Sequence, residues 1–91
     1  MEKAYRYIIS GRVQGVGFRW FVKENATSLG ITGTVKNLYD GRVEVFAQSD
    51  INTLFKFKNL LQKGPSMSRV ETVTESEEDL NHKIIDFKVI F

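Results

Sequence analysis

Three glycines within seven residues, Gly11, Gly15 and Gly17, punctuate the chain between its first extended run and its first helical pattern. Before them, Ala4-Tyr5-Arg6-Tyr7-Ile8-Ile9-Ser10 is rich in aromatic and branched side chains and predicts a strand. After them, Phe18, Val22, Ala26 and Leu29 fall on one helical face, and Gly30 offers a C′ stop, which predicts a helix over 18–29.

The remaining segments complete the order of elements. Ile31 to Leu38 and Arg42 to Gln48 are extended runs joined across Tyr39-Asp40-Gly41-Arg42, and Asp-Gly is a strong hairpin signal because such turns need positive φ. Ser49-Asp50 offers an N-cap to a second helix, in which Ile51, Leu54, Phe55 and Leu61 are read as the shared apolar face and Gly64-Pro65 as the stop. Arg69 to Glu75 and Ile84 to Phe91 are further extended candidates. The last alternates Ile85, Phe87, Val89 and Phe91 against Asp86 and Lys88, as a half-buried strand does. Between them, Glu75-Ser76-Glu77-Glu78-Asp79 reads as a solvated loop. The order strand, helix, strand, strand, helix, strand predicts an α+β fold: a ferredoxin-like split βαβ (βαββαβ) sandwich, with two helices on one face of a mainly antiparallel sheet. Tyr5, Tyr7, Trp20 and the seven phenylalanines are assigned to the core and strands.

Composition narrows the chemistry. Leu, Ile, Val and Phe make up 29 of 91 residues, which excludes disorder as the main description and suits a single domain over 1–91. No apolar run reaches membrane-spanning length and the first residues lack a signal-peptide core, so a soluble, cytoplasmic protein with no membrane partner is expected. With no cysteine and one histidine, His82, there is no disulfide framework, thiolate zinc site or cysteine nucleophile. His82 sits beside the acidic segment and is read as an uninvolved surface residue. The net charge of +2 does not by itself predict a polyanion partner, although residues 1–42 hold 7 basic and 3 acidic side chains against 6 and 8 in residues 43–91.

Val13-Gln14-Gly15-Val16-Gly17-Phe18-Arg19 lies between the first strand and the first helix. Glycines there let several backbone N–H groups point into one concavity, and the helix start adds unpaired N–H groups and a positive dipole end, a combination that binds anions such as phosphate. The segment has no Walker A ending, and Trp20 stands where a dinucleotide fingerprint would place its third glycine, so nucleotide binding has no support. Arg19 falls in the first helical turn, where the macrodipole disfavours a cation by up to about 1 kcal/mol. A bound phosphoryl group would compensate, because guanidinium offers a planar fork to two oxygens. An ordinary glycine turn followed by a surface arginine accounts for the same residues without a ligand.

Gly11-Arg12-Val13-Gln14-Gly15-Val16-Gly17-Phe18-Arg19, with Gly33-Thr34-Val35-Lys36-Asn37-Leu38-Tyr39-Asp40-Gly41-Arg42-Val43-Glu44 further on, resembles the paired signatures of the acylphosphatase family. The resemblance extends along the whole chain. It departs at Phe91, where the family often has a tyrosine, and at Thr34, where an aromatic is common. What it implies is metal-free and cofactor-free hydrolysis of the carboxyl-phosphate bond of small acyl phosphates, giving a carboxylate and inorganic phosphate. It assigns Arg19 and Asn37 as catalytic, and the loop Gln14, Gly15, Val16, Gly17, Phe18 and Arg19 to phosphate binding. Arg19 and the loop amides would hold the phosphoryl group, and Asn37 the attacking water. Read by itself, Asn37 is a residue leading into a hairpin turn, for which asparagine is well suited. A monomer with no nucleic-acid partner is expected. An RNA-binding module on a ferredoxin-like sheet is the competing class, although Arg42-Val43-Glu44-Val45-Phe46-Ala47 lacks the glycine-aromatic pattern of such sheets. A phosphate site used only for sensing is a third.

Overall fold

The computed structural model describes all residues, Met1–Phe91. The elements in chain order are β1 (Glu2–Arg12), α1 (Phe18–Ser28), β2 (Thr32–Asn37), β3 (Val43–Asp50), α2 (Ile51–Lys63), β4 (Arg69–Glu78) and β5 (Phe87–Val89). They form one mixed sheet in the order β4-β1-β3-β2-β5. The β1–β3, β1–β4 and β2–β3 pairs are antiparallel, and β2–β5 is parallel. This is the expected α+β ferredoxin-like arrangement.

Strand parity decides what lies beneath the helices. Tyr7 and Ile9 of β1, Val35 of β2, Val43 and Val45 of β3 and Phe87 of β5 are buried, and they meet Phe18, Val22 and Ala26 of α1 and Leu54, Phe57 and Leu61 of α2. Gly33, on the same β2 face as Val35, has no room for a side chain: a Cβ there would collide with the Phe46 carbonyl oxygen of β3. Its absence lets β2 and β3 close into register, with Gly33 opposite Ala47 and Thr34 opposite Phe46.

Three expectations change. The buried face of α2 is Leu54, Phe57 and Leu61, whereas Ile51 and Phe55 are 47% and 67% exposed. The spacing 54-57-61 keeps a tighter i, i+3, i+7 stripe, and Phe57 meets the rings of Tyr7 and Phe87 edge-on with centroids 6.1 and 6.3 Å away. Phe57→Ala is therefore expected to destabilise the fold by about 3 kcal/mol, and Phe55→Ala by less than about 0.5 kcal/mol, as read from chemical denaturation midpoints. Equal effects would contradict this helix rotation. Trp20 and Phe91 likewise leave the core, at 61% and 100% exposure.

Second, the acidic segment is mostly strand rather than loop. β4 is an edge strand, so its carboxylates stay solvated while its backbone pairs with β1 as far as Glu78 opposite Ala4. Lys58 meets Glu75 at 2.8 Å, Lys3 meets Glu77 at 3.2 Å and Arg6 approaches Glu78 at 3.6 Å. Third, the C-terminal strand is short. Its ends are held by backbone bonds from Gly33 N–H to Asp86 C=O and from Ile90 N–H to Val35 C=O, each 2.9 Å. The preceding loop is pinned by Gln48, whose amide donates to Asn81 C=O and accepts from Asn81 N–H, both at 2.9 Å. His82, on this loop, is exposed as expected.

Candidate active site

The turn between β1 and α1 takes its shape from two glycines. Gly15 and Gly17 have φ of 73° and 77°, the left-handed region that glycine enters without a Cβ penalty. Gly17 is the N-cap of α1 and brings no capping side chain. The first bond at this end runs from Phe21 N–H to Gly17 C=O at 3.0 Å, and no turn, loop or cap bond uses the N–H of Gly15, Val16, Gly17, Phe18, Arg19 or Trp20. The helix start thus keeps its unpaired donors and its positive dipole end, with no acidic residue in its first turn to neutralise them.

These residues open onto a cavity of about 380 Å³ lined by Gly15, Gly17, Phe18, Arg19 and, from the end of β2, Asn37. Asn37 follows Gly33 and Val35 on the helix-facing side of the sheet, so strand parity turns its side chain into the space at the start of α1. Its Oδ1 is buried with no hydrogen-bond donor in the protein. A buried carbonyl oxygen left in that state costs about 1–3 kcal/mol, which a ligand-borne donor would recover. The Arg19 guanidinium carbon stands 5.0 Å from the centroid of the Phe91 ring, a cation–π contact that leaves the guanidinium N–H groups available. Arg19 takes part in no ion pair.

Gln14 and Val16, the other residues of the loop, do not line this cavity. The Gln14 amide donates to Leu38 C=O at 2.8 Å and to Arg42 C=O at 2.9 Å. It ties the loop to the β2–β3 hairpin and so fixes the loop's separation from Asn37. That hairpin is closed by Leu38 N–H to Arg42 C=O at 2.8 Å and by Asp40, which accepts from the Arg42 backbone and guanidinium. The Arg42 backbone N–H, together with its side chain, holds the Asp40 carboxyl below the usual carboxylate range. Val16 packs partly against the core. The backbone N–H groups of both residues are all that they can offer an anion.

Val13, Trp20, Lys23 and Val89 also line the cavity, and none of them was among the expected site residues. Lys23 was findable, since it lies at i+4 from Arg19 on the same helix face. Val89 was not, because its place depends on the parallel pairing of β5 with β2.

The acylphosphatase family model matches residues 5–89. The chain belongs to the acylphosphatase family. An acylphosphatase from Koribacter versatilis is 44% identical over 84 residues, covering 92% of this chain and 76% of its own, and one from Caldanaerobacter subterraneus subsp. tengcongensis is 40% identical over 89 residues, covering 98% and 99%. The crystal structure of acylphosphatase from Bacillus subtilis is similar over the full length of both chains, with a TM-score of 0.93 at 37% identity. The chain is accordingly an acylphosphatase, an enzyme that hydrolyses acyl phosphates to a carboxylate and phosphate. No helix is long and apolar enough to cross a membrane.

Proposed function

We propose that hydrolysis proceeds by direct attack of a water held by Asn37 on a phosphoryl group held by Arg19 and by the backbone N–H groups from Gln14 to Arg19. The observation that carries this reading is the buried, unpartnered Asn37 Oδ1 in the same cavity as Arg19 and the left-handed glycine turn. Oδ1 accepts a hydrogen bond from the water, whose oxygen attacks phosphorus. The bond from phosphorus to the acyl oxygen breaks, its electron pair leaves with the carboxylate, and the water proton passes to a phosphate oxygen or to bulk solvent. Phosphoryl transfer spreads charge over the equatorial oxygens, so a planar cation and a cluster of amides act where charge must be held. A carboxylate is a weak base and leaves without a general acid, which suits a cavity whose lining has no histidine and no carboxyl group.

The lining also supports metal-free turnover, because Arg19 and Lys23 supply positive charge where a divalent ion would need anionic or imidazole ligands. Benzoyl phosphate is expected to be hydrolysed at an unchanged rate in excess EDTA, followed spectrophotometrically. Loss of activity on chelation, restored by magnesium, would overturn the metal-free reading, and absence of hydrolysis would favour a phosphate sensor. A reading without a nucleic-acid partner is supported by the open sheet face. There Arg6 and Lys36 both pair with Glu44, at 2.9 and 3.7 Å, and Phe46 is buried and not presented as a stacking platform. A monomeric, cytoplasmic domain over 1–91 completes the proposal.

A further inference from the structure

We infer that Lys23 selects acyl phosphates whose acyl part carries a distal carboxylate, an inference that rests on the hydrolytic reading of the site above. Lys23 lines the same cavity as Arg19 and Asn37, one helical turn beyond Arg19. Its ammonium lies 5.6 Å from the centroid of the Trp20 ring, so an exposed aromatic face supports the stem and head of the lysine at the rim. The side chain is half-buried, yet it takes part in none of the chain's six ion pairs.

The groups around it explain why. Its neighbours on the α1 surface are Trp20 at i−3, Arg19 at i−4, Ala26 at i+3 and Thr27 at i+4, none of them acidic. Glu24, next in the chain, points about 100° away around the helix. Asp86 shares a neighbouring cavity with Lys23 but does not come within 4.0 Å of it.

Two cations therefore face one cavity that contains no anion of its own. A single phosphoryl group engages the first of them, with the loop amides. The second, one helical turn further along α1 from the loop and the helix start, is left for the acyl part of the substrate. A carboxylate at the far end of a short acyl chain would pair with Lys23 while the aliphatic chain crosses Trp20 and Val89.

The test compares a six-carbon acyl phosphate ending in a carboxylate, adipoyl monophosphate, with its ω-carboxamide, which has the same shape and no distal charge. At low ionic strength the carboxylate form is expected to show a kcat/KM about three- to fivefold higher, mainly through KM. This ratio should fall to about one in Lys23→Met, which keeps the stem over Trp20 and removes the charge. It should persist in Lys23→Arg and shrink toward one as salt is raised. Equal turnover of the two compounds by the unaltered chain, or a ratio that survives Lys23→Met, overturns the inference and leaves the hydrolytic reading standing. Hydrolysis of neither compound overturns the inference alone if benzoyl phosphate is still hydrolysed, and overturns the hydrolytic reading as well if it is not.

Discussion

Arg19→Ala is expected to lower kcat/KM for benzoyl phosphate by about 10³-fold or more, and to weaken binding of inorganic phosphate by about 10- to 100-fold in the same protein. Both effects come from one group. In the proposed mechanism the guanidinium would give charge-assisted hydrogen bonds to the phosphoryl oxygens in the ground state and a stronger interaction once charge accumulates on them in the transition state. Arg19→Lys is expected to recover only part of either quantity, since an ammonium supplies the charge without the planar fork. Folding stability should change little, because the side chain joins no ion pair and its aromatic neighbour Phe91 is fully exposed. Steady-state kinetics, phosphate titration by calorimetry and a denaturation curve on the same variant separate these quantities. Retention of tight phosphate binding would remove Arg19 from its role.

Asn37→Ala should behave differently: a loss of about 10²-fold or more in kcat, with the dissociation constant for phosphate within about threefold of its starting value. The distinction follows from geometry. Arg19 and the amides sit at the start of α1, whereas Asn37 reaches the cavity from the end of β2 with an unpartnered acceptor, so on the proposed mechanism its deletion would remove the water's anchor and leave the groups proposed to hold phosphate in place. The substitution also removes a buried, unsatisfied oxygen. The variant should therefore be as stable as the original or slightly more so, a small gain typical of a site whose strain serves turnover. Near-full activity in Asn37→Ala would eliminate the water-positioning role, and loss of phosphate binding would reassign Asn37 to the phosphoryl group.

The two variants also probe how the site is held together. Gln14 spans from the loop to the hairpin carbonyls of Leu38 and Arg42, so the distance between the loop and Asn37 is set by hydrogen bonds made outside the cavity. A six-residue β2 closed on β3 through Gly33 brings Asn37 to the correct end of the strand.

Much of this was determined locally, and the reason is that the relevant physics is local. A glycine in the left-handed region, an Asp-Gly hairpin and a helical apolar face depend on residues a few positions apart. They were enough to place β1, the glycine turn, α1 and the hairpin. The closeness of the two motifs to the acylphosphatase signatures added the chemistry. What needed the folded chain was everything decided by partners distant in sequence. The rotation of α2 that buries Phe57 and leaves Ile51 and Phe55 in solvent depends on the rings of Tyr7 and Phe87. The acidic segment becomes strand because β1 supplies a backbone partner and Lys3, Arg6 and Lys58 supply counter-charges. The cavity itself exists only where α1, the end of β2 and β5 converge. Its second cation, Lys23, follows from the i+4 spacing to Arg19, but its wall, Val89, carries no local signal, because it enters the site through the pairing of β5 with β2 and not through its neighbours in the chain.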